Sequence, residues 1–483
     1  MNWRVVFRLL GVLIVGTAVP MILPILWALW FAEWDSLLGF SATVGLMGGV
    51  GSVLMRLGQG QGGSILRREA LVVVALAWFV VPAFGALPFL FDGTLSSPID
   101  AFFESVSGFT TTGATIMNLA EADMGKATSF WRMQTHWLGG MGIMVLFVAI
   151  LPSLGVGGKM LFKNEVPGPI TEGVKPRIRE TSLALWKIYG VLTVAQTVAL
   201  LICGMDLHFA LGHSMSTLGT GGFSPLPQSI GELQRPSVEW VCLLFMLIGG
   251  GNFSLYYYMV QGERWALLRD TETRVYLGLV LISSILVAVT ILPRHDFQVH
   301  DAVRNALFNV ISVVTTTGFA SEDFNEYPSF ARNILFFLLF VGACTGSTAG
   351  GPKIFRYVVI AKALMLHIGK TFRPQMVTTI RVGRQRISDE TVHGIFAFVI
   401  LYFVVFAFGA LAMSAMTPNL ETALSGTIAC LGNVGPGLGQ FGPMGGFIDL
   451  FWPGKLLMSV LMILGRLELY TVLVLFVPAF WRR

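Results

Sequence analysis

The chain has 483 residues, of which 54% are hydrophobic and 12% are charged, and its formal net charge is +5. A soluble domain usually carries about 25% charged residues, so a water-soluble fold could not bury this much apolar surface. The composition excludes a soluble protein and predicts a chain solvated largely by lipid.

Ten apolar segments are long enough to be predicted as membrane-spanning helices. In chain order they lie near 8–31, 36–55, 70–91, 131–155, 182–204, 238–261, 275–293, 330–364, 392–416 and 453–480. The first follows Arg4 and Arg8, as the core of a signal peptide would. Its apolar run is longer than such a core, so we expect it to remain as a membrane helix.

The basic residues are divided unevenly between the two sides that ten crossings define. Of the 32 Lys and Arg residues, 24 lie on the side of the two termini and seven on the other side. By the positive-inside rule, both termini are predicted to be cytoplasmic. The opposite loops are acidic, and this either concentrates cations there or is an ordinary solvated surface.

Four short segments between the spans share one register when aligned on a glycine. The glycines are Gly113, Gly222, Gly318 and Gly435. Segments 101–113 and 306–318 are identical at seven of thirteen positions without a gap. All four copies have alanine twelve residues before the glycine and a small residue six before it. The alanines are Ala101, Ala210, Ala306 and Ala423, and the small residues are Ser107, Ser216, Ser312 and Ala429.

Each repeated segment is too short to cross a bilayer, and a full span precedes and follows it. The predicted fold is therefore an all-α polytopic membrane protein, in which four tandem membrane–pore-loop–membrane repeats surround a pseudo-fourfold pore. Two extra transmembrane helices precede the repeats. The predicted boundaries are 1–68 for the helix pair and 69–156, 157–262, 263–364 and 365–483 for the repeats.

The residues at these glycines predict a cation filter. Extended backbone at membrane depth is tolerated only where protein or water satisfies it. Four such strands around an axis would present rings of carbonyl oxygens, which can replace the hydration shell of a potassium ion. The C-terminal ends of the short helices would also favour a cation. The predicted filter residues are Thr111, Thr112, Gly113, Thr220, Gly221, Gly222, Thr316, Thr317, Gly318, Asn433, Val434 and Gly435.

One such loop alone would be interpreted as a turn between spans, and four copies in one register favour the pore. The fourth copy, with Asn433, Val434 and Pro436, diverges most. Fewer or looser ion sites would follow from this divergence, so the strictness of selection between potassium and sodium stays open.

With these four loops, the chain resembles the Trk/Ktr/HKT superfamily of potassium transporters, in particular its bacterial TrkH-type membrane subunits. The resemblance covers nearly the whole chain and implies potassium uptake across the cytoplasmic (inner) membrane, with rubidium as a possible substitute ion. Glycine at all four filter positions implies potassium, because a serine at the first position is associated with sodium transport in some plant relatives.

The resemblance also implies partners. Members of this superfamily are homodimers that sit on a cytosolic ring binding NAD or adenine nucleotides. The chain contains no such domain, so the ring would be a separate regulatory subunit. The long basic loops 156–181 and 365–390 either set the topology and contact lipid or provide its docking surface. We expect no cofactor within the chain and no nucleic acid partner.

The segment 330–364 is too long for one straight crossing, and its middle is rich in glycine and ends in Pro352. Such a string breaks a helix. The predicted gate residues here are Gly346, Ser347, Thr348, Ala349, Gly350 and Gly351, and the resemblance implies an intramembrane loop that obstructs the pore beneath the filter. At similar positions the first two repeats carry glycine runs at 139–142 and 249–251, where we expect only tight helix packing.

Arg466 is the second predicted gate element, because it lies about 13 residues into the last span. A buried arginine costs at least about 2.5–3.5 kcal/mol, so it needs a partner. Glu468 is two residues away and points to a different face of the helix. We expect Arg466 to face the pore as a barrier to cations and to donate to carbonyls of the gate loop. An ion pair with Glu468 or another helix is the alternative.

Other classes of function have less support. The seven histidines show no metal-ligand spacing, and Cys203, Cys242, Cys344 and Cys430 are interpreted as buried apolar residues. An enzyme is therefore not expected. A sodium-permeable member of the same architecture and a coupled secondary transporter remain alternatives. Passive flux or proton symport, the regulating nucleotide and the resting state of the gate stay open.

Overall fold

The structure is a computed structural model that describes residues 1–60, 66–117, 124–142, 178–373, 379–383 and 385–482, without the side chains of residues 67, 178, 179 and 385. The α-helices there are α1 Trp3–Ala18, α2 Ile22–Phe31, α3 Trp34–Leu57, α4 Arg67–Gly85, α5 Leu87–Phe91, α6 Pro98–Phe109, α7 Lys126–Gly140, α8 Ile178–Ile202, α9 Leu207–Leu218, α10 Pro236–Gly249, α11 Phe253–Val260, α12 Ala266–Arg269, α13 Thr271–Ile291, α14 Val299–Val314, α15 Ser329–Leu338, α16 Ile354–Phe372, α17 Asp389–Ser414, α18 Leu420–Leu431, α19 Trp452–Arg466, α20 Tyr470–Leu473 and α21 Pro478–Trp481.

Irregular and extended elements are short. The 3₁₀ helices are Ser229–Leu233, Leu292–His295, Phe324–Glu326, Gly439–Phe441 and Val474–Phe476. Strands β1 Arg381–Val382 and β2 Gln385–Arg386 form an antiparallel hairpin, in which Arg381 lies opposite Arg386. The described fold is therefore helical, as the sequence predicts.

In the described part, six helical segments are long and apolar enough to cross a membrane. They are Trp3–Phe31, Trp34–Leu57, Arg68–Phe91, Glu180–Ile202, Thr271–His295 and Asp389–Ser414. Helix α17 is strongly apolar, and yet only seven of its 26 residues are buried. Such a surface needs lipid around it.

Two of the predicted spans are wrong as continuous helices, and the break predicted within a third is confirmed. The span 238–261 consists of α10 and α11, which are inclined by 94°, and the span 453–480 bends by 109° after Arg466. The span 330–364 is divided into α15 and α16 by the loop 339–353. The predicted span 131–155 begins in α7, which ends at Gly140, and its residues beyond 142 lie outside the described ranges.

Local backbone conformation explains these breaks. The expectation that the run 249–251 only permits close packing is wrong, because α10 ends at Gly249 and Asn252 caps the next helix by accepting from the Ser254 amide at 2.9 Å. In the last break, Glu468 and Leu469 both have positive φ. Hydropathy does not detect such turns, since the flanking residues remain apolar.

Four short helices, α6, α9, α14 and α18, hold the repeated segments. Three of them begin at a side-chain cap, formed by Ser97, Asp206 and Asn419. The four alanines that the repeat places twelve residues before the glycines are all fully buried. Their small side chains allow these helices to pack closely inside the protein.

The N-terminal helices pack through glycines. A β-carbon added to Gly51 on α3 would lie 2.5 Å from Val15 Cγ2 and 2.9 Å from the Gly11 carbonyl oxygen of α1. Small residues let two backbones approach in this way within a membrane. The close contact of α1 and α3 therefore depends on the absence of a side chain at position 51.

We predict that Gly51→Leu lowers the thermal stability of the purified protein, because overpacking a tight contact costs about 1–3 kcal/mol. Thermal unfolding in detergent, followed by tryptophan fluorescence, measures the change. Gly49→Leu is the matched control, since Gly49 is on the same helix and has nothing within 4 Å of an added β-carbon. Equal melting temperatures for both variants would contradict the packing argument.

Candidate ion pathway

The same backbone turn follows each of the four short helices. In the first copy, amides donate from Thr110 to Val106 O (2.8 Å), from Thr111 to Gly108 O (3.0 Å) and from Thr112 to Ser107 O (2.9 Å). The equivalent bonds in the other copies measure 2.7–3.2 Å. The last acceptor is always the small residue six positions before the glycine. A short side chain is required there because the chain folds back onto that residue.

Two residues in each turn have left-handed backbone conformations. The residues two before each glycine are Thr111, Thr220, Thr316 and Asn433, with φ of 55°, 52°, 57° and 54°. The glycines have φ of 81°, 76°, 80° and 95°. Left-handed conformations at residues other than glycine cost of order 1–3 kcal/mol and persist where the surroundings enforce them. The four copies therefore share one strained conformation despite their different sequences.

The four turns form a closed ring. A β-carbon added to the filter glycine of one copy would overlap a carbonyl oxygen of the next copy. That oxygen belongs to the residue just before the next copy's own glycine. The overlaps are Gly113 with Gly221 O, Gly222 with Thr317 O, Gly318 with Val434 O, and Gly435 with Thr112 O. Each copy thus contacts the next, and the fourth contacts the first. Within the described residues, these four carbonyl oxygens accept no hydrogen bond.

A cavity of about 510 Å³ lies against this ring on the side of the residues that follow the glycines. All four glycines line it, together with Gln228, Gln440 and Asp449. An ion entering this cavity would meet the ring directly. The arrangement supplies unpaired carbonyl oxygens to a cation. Two buried basic side chains lie close to the ring: His136 accepts from the Phe223 amide at 3.3 Å, and Arg132 lines the cavity.

Four threonine hydroxyls next to the ring pair with one another. Thr110 Oγ1 and Thr112 Oγ1 are 2.8 Å apart, and the equivalent pair Thr315 and Thr317 is 2.7 Å apart. In the divergent fourth copy, Asn433 Nδ2 donates to Thr112 Oγ1 at 3.0 Å. The asparagine therefore joins the last copy to the first.

A buried ion pair supports the first two copies. Glu104 on α6 accepts from Arg132 Nε at 2.6 Å and from the Ile116 amide at 3.0 Å. Arg132 on α7 also donates to Ser224 O at 2.9 Å, and its guanidinium lies over the Phe223 ring at 3.6 Å. The two side chains are 0% and 2% exposed, so each needs the other.

Arg132 is one of the seven basic residues predicted on the side opposite the termini, and the sequence assigned no role to Glu104. The available signal was a lone acid within an apolar repeated segment, followed by a lone base at the start of the next span. Such buried charges are normally paired with one another.

The predicted gate loop lies between the ring and the broken helix of the second repeat. Cys344 N donates to Gly250 O at 3.0 Å, and Phe253 N donates to Gly346 O at 3.1 Å. Thr348 Oγ1 donates to Gly249 O at 3.1 Å. The glycine run that ends α10 is thus the surface to which the loop is bound.

A carboxylate that sequence analysis missed holds both ends of this loop. Glu272, at the start of α13, accepts from Thr345 N at 2.7 Å and from Phe355 N at 3.0 Å with the same oxygen. It is 5% exposed. Its position at the start of a predicted span gave no signal, since acids at the ends of spans are usually exposed.

Arg466 joins two helix breaks. It donates to Thr348 O at 2.8 Å, to Gly139 O at 2.5 Å and to Gly140 O at 2.9 Å. The last two are terminal carbonyls of α7, where the helix dipole favours a positive charge. Nearby, Glu468 accepts from Arg356 at 2.5 Å. A buried guanidinium on three carbonyls has the partners that its burial requires.

Four re-entrant turns, closed into a ring between membrane helices, define a pore-loop membrane protein. Comparison with known proteins gives the family. Residues 63–483 match the family of TrkH cation transport proteins. The chain belongs to the TrkH family, whose members are transporters and not enzymes, and this confirms the resemblance and the fold class inferred from the sequence.

The similarity extends over the complete chain. The Trk system potassium uptake protein TrkH of Halomonas elongata is 38% identical over 492 residues, and that of Escherichia coli strain K12 is 36% identical over 487 residues, each with full coverage of both chains. The crystal structure of the potassium transporter TrkH from Vibrio parahaemolyticus matches with a TM-score of 0.89 at 34% identity, also with full coverage.

We predict that Arg132→Met strongly destabilises the protein, because an uncompensated buried Glu104 costs about 3–5 kcal/mol. Adding Glu104→Gln should recover much of the loss by removing the unpaired charge. The control is Arg332→Met, which breaks the more exposed pair of Arg332 with Glu421 and should cost about 0–1 kcal/mol. Thermal unfolding measures the stability of all three variants. If Arg132→Met alone is no less stable than Arg332→Met, the buried pair does not contribute as proposed.

Proposed function

We propose that this chain takes up potassium across the cytoplasmic membrane through one pore, whose selectivity filter is the ring of four re-entrant turns. The closure of the ring supports this function most strongly, because it brings together four carbonyl oxygens that lack donors within the described residues. Unsatisfied carbonyls at membrane depth require a partner, and a dehydrated cation is one. The relatives' names specify potassium uptake for those proteins.

The gate in this proposal consists of Arg466 and of residues 346–351 within the loop 339–353. The loop lies beneath the ring, and Arg466 holds it to the end of α7 through Thr348, Gly139 and Gly140. A fixed positive charge in a low-dielectric pathway repels cations. Opening requires the arginine to leave these carbonyls or the loop to move aside.

The proposed regulation and assembly rest on the resemblance to the family. We propose that the termini are cytoplasmic, that the chain forms a homodimer in the inner membrane, and that a separate cytosolic NAD- or adenine-nucleotide-binding ring controls the gate. The excess of basic residues on the side of the termini supports the orientation.

Purified protein in liposomes is predicted to take up rubidium tracer under a potassium gradient, with competition by potassium and not by sodium. Gly113→Ala should reduce this uptake at least about tenfold. The added methyl group displaces the Gly221 carbonyl, and we expect this displacement to cost more than about 1.4 kcal/mol, which corresponds to a factor of ten. Gly93→Ala is the matched control, since Gly93 also has positive φ (79°) and nothing within 4 Å of an added β-carbon. If sodium competes with rubidium as well as potassium does, the proposed selectivity is wrong, whereas the proposed pore stands.

Arg466→Ala is predicted to raise resting potassium uptake roughly tenfold or more, because charge-assisted hydrogen bonds that hold the loop are lost. Rubidium uptake into the same liposomes, stopped at successive times, measures the uptake rate. Arg235→Ala is the control, because Arg235 also donates to a carbonyl, that of Gly204, but is exposed. Unchanged or lower uptake by folded Arg466→Ala protein would show that this arginine is no barrier.

A further inference from the structure

The gate loop is hydrogen-bonded to the filter at one residue. The Gly350 amide donates to Thr316 Oγ1 at 2.8 Å. Thr316 is the left-handed residue two positions before Gly318, and it is fully buried. Among the described residues, this is the one hydrogen bond that joins residues 342–353 to the four filter turns.

The contact is close on both sides. A β-carbon added to Gly350 would lie 2.5 Å from Gly432 O, 2.8 Å from Asn433 Cβ and 3.1 Å from Asn433 Oδ1. Gly350 therefore lies directly beneath the third and fourth turns, and no other residue would fit there with the loop in this position. The loop approaches the filter by backbone alone.

The equivalent side-chain oxygens of the other copies do not contact the loop through a hydrogen bond. Thr220 Oγ1 donates to Gly219 O at 2.7 Å. Thr111 Oγ1 and Asn433 Oδ1 are buried and have no hydrogen-bond partner among the described residues. The repeats thus supply one oxygen each at the same position of the turn, and the loop binds only that of the third repeat.

We propose that Thr316 couples the gate to the filter: in the closed state the Gly350 amide occupies an oxygen that a cation at the inner end of the filter would use. This inference rests on the proposed function. An amide proton carries partial positive charge, so the loop and a cation on the same oxygen disfavour each other. By linkage, a cation bound at this level favours loop displacement to the same extent that loop closure weakens cation binding.

Movement of the loop can be measured without relying on conduction, because the loop contains a buried cysteine. Cys344 is 0% exposed. In a full-length background with Cys203, Cys242 and Cys430 replaced by alanine, Cys344 is the only thiol. The rate at which a small cationic methanethiosulfonate modifies it in liposomes, followed by mass spectrometry, reports how often the loop leaves its site.

Thr316→Val removes the acceptor at nearly constant side-chain volume and should raise the Cys344 modification rate about fivefold, the expected effect of one buried hydrogen bond. Thr316→Ser keeps the hydroxyl and should retain the parental rate. Thr111→Val is the matched control from the first repeat, and it should leave the modification rate unchanged whatever it does to conduction. The coupling would be overturned if Cys344 were modified at the parental rate in Thr316→Val. It would also be overturned if Thr111→Val raised the Cys344 modification rate as much as Thr316→Val does.

Potassium provides the second arm of the test. Replacing N-methylglucamine chloride by potassium chloride at constant ionic strength should accelerate Cys344 modification in the parental protein, and Thr316→Val should lose this dependence. If the valine variant does not fold, the response of the parental protein decides, and no response to potassium would overturn the proposal.

Arg466→Ala in the same background separates the coupling from the gate itself. If Arg466→Ala raises both rubidium uptake and Cys344 modification while Thr316→Val changes neither, the gate stands and the coupling is wrong. If Arg466→Ala changes neither quantity, the proposed gate is wrong. A rise in both variants supports gate and coupling together.

Discussion

The structure depends on satisfying backbone polar groups at membrane depth. Each repeat interrupts its helices with a turn whose amides fold back onto the preceding helix, and this leaves carbonyl oxygens at the ring without donors among the described residues. Such a backbone is stable only where protein encloses it and a polar partner replaces water. The short helices, the small residue six positions before each glycine, and the contacts between adjacent turns all serve that requirement.

Buried charges are arranged by the same rule. Arg132 and Glu104 neutralise each other behind the first turn, while Arg466 lies on carbonyls at helix ends and Glu272 on amides at loop ends. A helix end supplies carbonyls that have no intrahelical partner, and a buried guanidinium can use them. Breaking the helices of the repeats therefore creates both the ring of turns and the groups that hold the loop 339–353 beneath it.

The four copies share a backbone conformation, whereas their side chains at the same position of the turn make different contacts. Thr316 receives the loop, Asn433 binds the neighbouring copy, and Thr111 has no hydrogen-bond partner among the described residues. A ring of four identical chains could not assign these tasks separately. Fusion of the repeats into one chain allows one copy to bind the loop 339–353 while the others keep only the geometry of the turn.

The sequence by itself determined the membrane class, the four repeats and the glycine at the centre of each turn, because these follow from composition and from local periodicity. It also showed that Arg466 needs a partner, since a charge inside an apolar segment is costly wherever it lies. Only the tertiary structure decided the sharp breaks after Gly249 and Arg466, the partners of Glu104 and Glu272, and the bond from Gly350 to Thr316. Those features join residues far apart in the chain, such as Arg466 and Gly139, and their energies come from contacts that no single segment contains.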